Sequence, residues 1–436
     1  MSSTLDPLST GTTEDPSTSV SRFATVRRMS DRIVEPLEIE DFVVQSMPDV
    51  SPTKWHLAHT TWFFETFVLA EHAPGYEPFH EEFRYLFNSY YNAIGKQFSR
   101  PDRGVVTRPT TKQVFAYREH VDRHMIDLLE NPPEESAARI AALVEIGLNH
   151  EQQHQELMLT DIQHVFACNP LAPVYRPARE EAVGAAAKLE WFAYAGGLQE
   201  IGHHGEGFAF DNEGPRHRVF LEPFEIAGRL VTNGEFLEFL HDGGYERPEL
   251  WLSDGWNAVT AAGWKAPLYW RKVDERWVHM TLSGERPVRD AEPVCHVSFY
   301  EADAYARWAG ARLPREEEWE VVAAARAVEG NLLESERFHP APAAASAGAP
   351  CPAQLFGDVW EWTRSPYVSY PGFRPPTGAL GEYNAKFMCN QMVLRGGSCV
   401  TPASHVRATY RNFFPPPARW QFTGIRLARD TEGSSS

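Results

Sequence analysis

Two histidines stand four residues apart in the stretch LNHEQQHQELM, which covers residues 148–158. Residues four apart on a helix lie roughly 40° from each other, so the imidazoles of His150 and His154 can reach one metal ion. The letters His-Glu-x-x-His also match the zinc metalloprotease motif, whose Glu acts as general base. The stretch therefore predicts a metal site, and a pair of histidines packed at a helix interface is the alternative.

The zinc-protease interpretation lacks a third ligand. The extended protease motif needs a glycine at position 157 and a histidine at position 160, where this chain has Leu157 and Thr160. A shorter form of the motif takes a Glu from a following helix, but Glu180 and Glu181 stand in a Pro/Ala-rich segment. A zinc hydrolase therefore stays a distant alternative.

A third ligand is available upstream, in the aromatic-rich stretch TKWHLAHTTWFFETF (53–67). Both His56 and His59 lie there, and a helix bundle could bring either of them against the helix that carries His150 and His154. Three neutral imidazoles suit Fe(II), Zn(II) or Cu(II), so the ligand type does not select the metal. For each upstream histidine the alternative is a role in packing or capping.

The elements that must position these residues follow from periodicity and composition. Apolar residues and the two histidines share one predicted helix face, with steps of three and four: Ile140, Leu143, Gly147, His150, His154 and Leu157. Beyond residue 188 the pattern changes to short strands, many turns and abundant Trp and Gly. The predicted organisation is a disordered tail (1–20), an all-helical domain (21–168), a linker (169–188), a loop-rich α+β domain (189–430) with a surface loop (338–354), and a frayed tail (431–436).

Composition limits the classes of partner. The chain of 436 residues carries 59 acidic against 41 basic residues, a formal net charge of −18, which argues against nucleic acid or an anionic membrane as partner. Five cysteines without a CxxC pair fit a reducing compartment. The first residues lack the apolar core of a secretion signal, and no apolar run is long enough to span a bilayer. We expect a cytoplasmic enzyme that acts on small molecules.

Motifs in the second half resemble the formylglycine-generating-enzyme (sulfatase-modifying-factor) fold. The matching stretches occur in order: VTNGEFLEFL, PVCHVSFYEADAYARWAGARLPREEEWE, LFGDVWEW, VLRGGSC and FTGIRLAR. The helical domain, with WHLAH and HEQQHQE, resembles a DinB-type four-helix bundle. The resemblance implies an α+β fold in which a DinB-like bundle precedes a formylglycine-generating-enzyme-like domain related to C-type lectins. The tryptophans in these motifs are expected to be packing residues: Trp308, Trp319, Trp360 and Trp362.

The pairing of the two domains resembles the ergothioneine sulfoxide synthases and their ovothiol-pathway relatives. These are non-haem iron enzymes that use O₂ to join a thiol sulfur to a histidine imidazole carbon. The resemblance implies an Fe(II) cofactor held by His59, His150 and His154, and a substrate-binding position at Gln153. Three histidine ligands would leave iron positions for imidazole, thiolate and O₂ together.

The resemblance implies hercynine (N-α-trimethylhistidine) as the imidazole substrate. Its quaternary ammonium cannot donate hydrogen bonds and is best held by aromatic faces. The stretch TYRNFFPPPARWQF offers Asn412 for polar contacts and Phe413 and Phe414 as rings, with ordinary core packing as the alternative for both phenylalanines.

Two related enzyme classes are disfavoured by the sequence. Formylglycine-generating enzymes use a pair of closely spaced cysteines, but Cys399 has no partner in the VTPASHVRATYRN stretch that follows it. An ovothiol-type synthase would accept unmethylated histidine and usually carries a methyltransferase domain, for which no Gly-rich segment is present. Binding modules of the same fold would not require the three histidines.

The thiol donor is expected to be cysteine rather than γ-glutamylcysteine. Enzymes that use the γ-glutamyl compound carry an Asp and an Arg where this chain has Phe414 and Ala418. Arg419 could slip one place to substitute for the missing Arg. By their match to a similarly spaced arginine pair, Arg100 and Arg103 are expected to bind the cysteine carboxylate, with a solvated loop as the alternative.

A tyrosine near the metal could deliver the proton or hydrogen atom that reduction of O₂ requires. The mycobacterial-type pattern places this donor three residues before another Tyr, where ALGEYNAKF has Leu380 and then Tyr383. The adjacent pair Tyr90 and Tyr91, in FNSYYNAIG, is therefore predicted to be catalytic. The alternative is that both tyrosines only pack a helix end.

Overall fold

The structure is a computed structural model that describes residues 16–179, 186–343 and 351–431. It divides into two compact units. The first contains the described residues up to Cys168 together with Pro375–Tyr383, and the second contains the remaining described residues. Within the described ranges, no helix combines the length and the apolar character that crossing a membrane would require.

The first unit is built on four main helices. These are α1 (Pro16–Val34), α2 (Thr53–Phe64), α3 (Thr111–Glu130) and α4 (Ala137–Ala167). Short helical segments connect them: Asp41–Val43, Ala70–His72, Phe83–Leu86 and Arg100–Val105. Helix α2 continues into a π-helical turn, Glu65–Leu69, a rare geometry that is frequent at functional sites.

Helix α1 begins inside the region predicted to be a disordered tail. Its first residue is Pro16, which suits the first turn of a helix because that position needs no backbone N–H donor. The prediction was therefore wrong for residues 16–20, and the remainder of that tail lies outside the described residues.

Helices α2 and α4 pack closely where the histidines lie. Every residue of α2 is buried. On α4, Gly147 makes the close approach possible, because a Cβ atom there would stand 2.5 Å from Phe64 Cε1 and 3.0 Å from Phe63 Cε1. His150 follows Gly147 by one turn, so this contact sets the spacing between the two histidine-bearing helices.

The segment Pro375–Tyr383 groups with the first unit, although the sequence placed it in the second domain. Its anchor is the carboxylate of Glu382, which accepts hydrogen bonds from the backbone N–H of Asn92 (3.0 Å), the Asn92 side chain (3.0 Å) and the backbone N–H of Ala93 (2.8 Å). Local sequence patterns do not report such a long-range contact, which explains the difference from the predicted boundary.

The second unit is a set of small sheets with four helices. The strands are β1 (Trp191–Tyr194), β2 (Gly197–Ile201), β3 (His217–Leu221), β4 (Phe224–Ala227), β5 (Trp270–Val273), β6 (Arg276–Thr281), β7 (Gly284–Pro287), β8 (Gly330–Asn331), β9 (Phe356–Gly357), β10 (Trp360–Pro366), β11 (Met392–Arg395), β12 (Asn412–Phe414), β13 (Thr423–Gly424) and β14 (Ala428–Asp430). The helices are α5 (Asn233–His241), α6 (Ser253–Ala262), α7 (Phe299–Trp308) and α8 (Glu316–Ala323).

Within the described ranges, the strands form five sheets with the orders β1-β4-β14, β12-β11-β10-β13, β2-β3, β5-β6-β7 and β8-β9. Strand β12 lies at an edge of its sheet and pairs antiparallel with β11, so Asn412 is opposite Leu394 and Phe413 is opposite Val393. The core is aromatic: Trp319, Trp360 and Trp362 are almost completely buried, as expected for packing residues, whereas Trp308 is half-buried. The predicted α+β fold, a helical bundle followed by a loop-rich mixed domain, is confirmed.

Parts of the predicted linker and surface loop are packed rather than exposed. Tyr175, in the linker, is 3% exposed, and its backbone N–H donates to Leu282 O (2.9 Å). Its ring contacts Phe338, which stands in the predicted loop and is 5% exposed. Each aromatic residue buries a large apolar area, although the Pro/Ala-rich composition around it predicts exposed chain. In the predicted frayed tail, Thr431 Oγ1 donates to Pro223 O (3.2 Å). Residues 180–185, 344–350 and 432–436 lie outside the described residues.

Candidate metal centre

The structure brings together His59 from α2 and His150 and His154 from α4. One ring nitrogen from each of the three lies within 4.8 Å of the corresponding nitrogens of the others. The ring centroids are 4.8 Å apart for His59–His150, 4.8 Å for His59–His154 and 4.6 Å for His150–His154. This is the set that the family resemblance implied.

The nitrogens that face each other fit a divalent cation. His59 Nδ1 donates to the carbonyl of Phe87 (2.6 Å), which leaves Nε2 as a buried acceptor without a hydrogen-bond partner in the described residues. Both ring nitrogens of His150 are also buried without a partner there. Buried polar atoms are costly unless something satisfies them, and a metal ion bound by these nitrogens would do so.

The protonation state of these rings also suits metal binding. Burial lowers the pKa of His59 and His154 well below the usual histidine value and lowers the pKa of His150 to about 3. The rings are therefore neutral near pH 7, and the neutral imidazole is the form that ligates a metal.

His56, the other upstream histidine, has both ring nitrogens engaged. Its Nδ1 lies 2.8 Å from Nδ1 of His154, and its Nε2 lies 2.9 Å from Oδ2 of Asp161. The geometry therefore favours His59 over His56 as the third ligand. His56 lies between His154 and Asp161 instead.

Two tryptophans fix the orientation of the His59 ring. Trp55 lies on one side with its ring centroid 4.6 Å away and an interplanar angle of 16°, and Trp62 stacks at 5.5 Å and 17°. Both come from α2 itself, at positions four residues before and three residues after His59, which are on the same helix face. The aromatic character of the WHLAHTTW stretch thus serves to hold one ring.

Glu151 does not face the histidines. It is completely buried, and its carboxylate accepts hydrogen bonds from Arg27 (2.8 Å) and Ser30 Oγ (2.6 Å), with Arg118 at 3.5 Å. Burial opposes its ionisation, yet Arg27 and Arg118 hold the pKa of Glu151 below its usual value. A carboxylate committed to two arginines is not placed to activate a water on the metal, so the zinc-hydrolase alternative loses its general base.

A cluster of tyrosines borders the site. Tyr90 and Tyr91 stack with centroids 4.6 Å apart, and both contact Tyr383, at 6.2 and 6.5 Å. Tyr383 is the member that touches a site histidine, with its ring 5.8 Å from His150. The sequence contained this residue in ALGEYNAKF, but only the docking of its segment on the first unit shows that it is adjacent.

Gln153, predicted to bind substrate, is half-buried on α4 just before His154. Its side-chain Oε1 accepts a hydrogen bond from the hydroxyl of Tyr383. The two residues thus form one polar group beside the histidines, contributed by two parts of the chain that are far apart in sequence.

The two predicted carboxylate-binding arginines differ in their surroundings. Arg103 is 3% exposed, its guanidinium lies 3.3 Å over the Trp55 ring, and it donates to Ser51 Oγ (2.9 Å) and Ser89 Oγ (3.1 Å). Its Nε–H has no hydrogen-bond partner in the described part of the chain, and burial together with Arg100 lowers its pKa. Arg100 is exposed, and its guanidinium donates to a backbone carbonyl. Of the two arginines, Arg103 is therefore the one with a buried donor that the described residues leave without an acceptor.

The residues predicted to hold hercynine lie in the second unit, on β12. Asn412 Oδ1 accepts from the backbone N–H of Phe413 (2.9 Å). The Phe413 ring stacks on Tyr367 at 4.1 Å and 9°, and the Phe414 ring meets Trp420 edge-on at 6.1 Å. All three predicted residues are half-buried. They present an aromatic surface, and the packing contacts agree equally with the alternative of a core role.

Arg419 is committed elsewhere in the second unit. Its guanidinium donates to Glu301 (2.8 Å) and to the carbonyl of Ala266, and it lies 4.2 Å over the Trp264 ring. The residue is therefore not placed to replace an arginine missing at position 418. Cys399 is fully buried, in line with the expected structural thiol.

A second group of possible metal ligands occurs in the second unit, at His279, Glu292 and His339. His339 Nε2 and Glu292 Oε2 are 3.0 Å apart. Arg286 and Arg289 lie 3.6 and 3.7 Å from the other oxygen of Glu292. Two neighbouring guanidinium groups would repel a cation, so we do not assign a metal to this group.

Comparison with known proteins agrees with the two-unit architecture. Residues 22–158 match the DinB superfamily, and residues 190–431 match the sulfatase-modifying factor enzyme 1-like domain. The second match alone covers more than half of the chain. The first match lies inside the predicted helical domain and ends ten residues before its predicted boundary at residue 168, and the second match differs from the predicted range 189–430 by one residue at each end.

Full-length relatives share both domains. The chain is 32% identical to hercynine oxygenase of Mycolicibacterium smegmatis, over 92% of this chain and 96% of that protein. It is 33% identical to hercynine oxygenase of Mycolicibacterium thermoresistibile, over 88% and 89%. The formylglycine-generating enzyme of Streptomyces coelicolor is 31% identical, but over only 53% of this chain. The similarity to the oxygenases spans the histidine-bearing helices as well as the second unit, and the chain belongs to the hercynine oxygenase family.

Proposed function

We propose that this protein is an Fe(II)-dependent sulfoxide synthase that uses O₂ to join the sulfur of cysteine to the imidazole carbon of hercynine. The coarser function, an oxygenase of ergothioneine biosynthesis, follows from its relatives. The observation that carries the finer proposal is the group of three buried, neutral histidines that each offer a ring nitrogen within 4.8 Å of the others. Nε2 of His59 and both ring nitrogens of His150 have no hydrogen-bond partner in the described residues. The product would be hercynylcysteine sulfoxide.

The proposed reaction balances without a further reductant. The imidazole C–H and the thiol S–H bonds are broken, and one C–S bond and one S–O bond are formed. The two hydrogens and the second oxygen atom leave as water. The four electrons that reduce O₂ therefore come from the two organic substrates, which agrees with an enzyme whose only cofactor is a metal ion.

The role proposed for Fe(II), held by His59, His150 and His154, is to bind the thiolate and the imidazole side by side and to transfer electrons to O₂. The protein contributes neutral ligands and a buried setting. It also contributes polar groups next to the ligands. Gln153 directly precedes His154, and its side chain accepts a hydrogen bond from the Tyr383 hydroxyl. We assign Gln153 to the substrate imidazole.

We assign the role of proton donor in O₂ reduction to the tyrosine pair Tyr90 and Tyr91. Burial raises the pKa of Tyr91 well above its usual value, and the neighbouring Tyr90 and Tyr383 raise it further. The hydroxyl therefore keeps its proton at neutral pH, as a donor must. Tyr91 also packs against Trp62, which in turn stacks on His59.

Cysteine is the proposed thiol donor, and its carboxylate is assigned to Arg103, with the exposed Arg100 as the second candidate. The commitment of Arg419 to Glu301 supports this choice, because it leaves position 418 without an arginine that could hold a glutamyl carboxylate. Hercynine is the proposed imidazole substrate, with Asn412, Phe413 and Phe414 as its contacts. An ovothiol-type synthase that uses histidine, and a γ-glutamylcysteine-using enzyme, are the alternative outcomes.

The direct test is to incubate the Fe(II)-loaded protein with hercynine, cysteine and O₂ and to search for the sulfoxide conjugate by mass spectrometry. The His59→Ala variant should lose iron and turnover, whereas His124→Ala, which removes a histidine of α3, should retain both. If His59→Ala keeps its iron and its activity, the ligand assignment is wrong and His56 becomes the next candidate. Absence of the conjugate with the unaltered, iron-loaded protein would refute the proposed reaction.

Substrate preference needs a separate comparison. Values of kcat/KM should be higher for cysteine than for γ-glutamylcysteine, because each unpaired charged group of the glutamyl moiety costs about 1–3 kcal/mol when buried. They should also be higher for hercynine than for histidine. A preference for γ-glutamylcysteine would contradict the interpretation of positions 414 and 418.

A further inference from the structure

A buried hydrogen-bonded chain ends on one of the three histidines. Asp161 lies on α4, and its Oδ2 accepts from the backbone N–H of Ser51 (2.9 Å) and contacts His56 Nε2 (2.9 Å). On its other side, His56 Nδ1 is 2.8 Å from Nδ1 of His154. The exposed fractions are 5% for Asp161, 2% for His56 and 8% for His154, so water is largely excluded from the chain.

The order of donors and acceptors along this chain follows from its metal end. Nδ1 of His154 faces His56, so a metal bound by His154 would take Nε2, and Nδ1 then carries the proton and donates to His56 Nδ1. With His56 Nδ1 as acceptor, the ring proton of His56 is on Nε2, which donates to Oδ2 of Asp161. The chain thus supports the tautomer of His154 that can bind a metal through Nε2.

The other two histidines have different supports. His59 Nδ1 donates to the neutral carbonyl of Phe87. His150 has no hydrogen-bond partner at either nitrogen within the described residues. Among the three, His154 is the one that hydrogen bonds within the described chain link to a carboxylate. Hydrogen bonding of a histidine ligand toward a carboxylate raises the basicity of the nitrogen that faces the metal.

We infer that Asp161 and His56 are positioning residues that orient His154 and make it the most electron-donating of the three histidine ligands. The inference rests on the proposed function only in that it needs a metal at these histidines. Both residues act through His154. Loss of the Asp161 charge should weaken metal binding by roughly 10- to 100-fold, the range typical for residues that support metal ligands. It should also make a bound Fe(III) easier to reduce.

The test is a metal-affinity measurement on the full-length apo-protein, with Co(II) as a spectroscopic probe. Asp161→Asn removes the charge and keeps an oxygen that can accept from His56, so it separates charge from geometry. His56→Gln interrupts the relay with a side chain that can still hydrogen-bond. The matched control is Glu65→Gln, because Glu65 is a carboxylate of the same unit with equal burial that accepts from Tyr76 and Tyr117 instead.

We expect Co(II) to bind Asp161→Asn and His56→Gln about tenfold or more weakly, and Glu65→Gln within about twofold of the unaltered protein. The Co(II) absorption bands should shift in the first two variants and not in the control. Asp161→Asn with unaltered affinity and unaltered bands would overturn the inference. If Asp161→Asn does not fold, the same comparison for His56→Gln decides.

Failure of this inference is distinguishable from failure of the proposed function. If the protein makes the sulfoxide but Asp161→Asn binds Co(II) as the unaltered protein does, only the positioning role is refuted. If the affinities shift as expected and no sulfoxide forms, the positioning role stands and the reaction is wrong. If the unaltered protein does not bind Co(II), the metal centre and the inference fall together.

Discussion

Arg103 and Arg100 are three residues apart, yet only Arg103 is buried beside the histidine site. We predict that Arg103→Met raises KM for cysteine by roughly 10- to 100-fold, since a hydrogen bond to a charged group contributes about 1.5–3 kcal/mol. Arg100→Met should change it little, because that side chain is exposed and bonded to a backbone carbonyl. Steady-state kinetics with each substrate varied in turn provides the measurement. Equal effects of the two variants, or a rise confined to hercynine, would contradict the assignment.

The tyrosine pair gives a second prediction for single side chains. Changing both Tyr90 and Tyr91 to Phe removes the assigned proton donors and leaves the metal ligands in place. Turnover should then be diverted from C–S bond formation to oxidation of the thiol, which quantitative mass spectrometry of both products will detect. Tyr85→Phe is the control, because Tyr85 belongs to the same unit but is 41% exposed. An unchanged ratio of products would remove the pair from the mechanism.

Single residues also show what the sequence could and could not predict. The spacing of His150 and His154 was sufficient to predict that the two rings lie together, because a helix fixes their relation. The choice between His56 and His59 was not accessible from the residues alone, since both are buried on α2. It depends on Asp161, which occupies His56 from a different helix. The sequence also did not predict that Tyr383 lies at the site, because its neighbours come from a distant segment.

Helix packing carries a prediction at Gly147. Replacing it by Ala would gain up to about 1 kcal/mol of helix propensity, but the new methyl group would stand 2.5 Å from the Phe64 ring. Overpacking of this kind costs roughly 1–3 kcal/mol, so we expect a net loss of stability together with weaker metal binding as α2 and α4 separate. Urea unfolding and Co(II) titration measure the two effects. The double variant Gly147→Ala/Phe64→Leu should recover both, and failure to recover would show that the contact does not set the helix spacing.

At the level of elements, long periodic segments were predicted well and packed irregular segments were not. The helix predicted from steps of three and four is present as α4, and the stripe residues from Ile140 to His154 are buried. Leu157 of the stripe is only half-buried, and Glu151 on another face is buried as well. The π-helical turn that follows α2 has no comparable signature. Tyr175 and Phe338 lie in Pro/Ala-rich stretches that predict exposed chain, yet the two rings pack together. Composition describes the average of such a stretch and misses the residue that anchors it.

For the molecule as a whole, buried histidines predict loss of stability in acid. Burial lowers the pKa of His296 to about 3 and that of His405 well below its usual value. The unfolded chain binds these protons near pH 6.5 and the folded second unit does not. Stability is therefore fully present above pH 6.5 and decreases as the pH falls, by about 1.4 kcal/mol per pH unit for each such histidine.

The measurement is urea unfolding between pH 7.5 and 4.5. The variant His296→Asn should have a shallower dependence of the unfolding free energy on pH, by about one proton. Asn suits the site because the backbone there has a φ of 63°, which Asn tolerates better than most residues. An identical slope in the variant would contradict the neutral, buried state of His296.

The two-domain organisation was predictable because motif strings and periodicity extend over most of the chain. The exception is Pro375–Tyr383, which the sequence assigned to the second domain and which packs in the first unit through Glu382. The order of motifs along a chain reports which domains are present. It does not report where a connecting segment docks, and here that segment carries Tyr383 to the histidines.

The central claim is that one O₂ molecule supplies the sulfoxide oxygen while a C–S bond forms at the three-histidine site. The most direct measurement is turnover under ¹⁸O₂ with hercynine and cysteine, followed by mass spectrometry of the conjugate. The account predicts one ¹⁸O atom in the sulfoxide product and loss of that product in His59→Ala. A conjugate that lacks the label, or one that forms equally in His59→Ala, would contradict it.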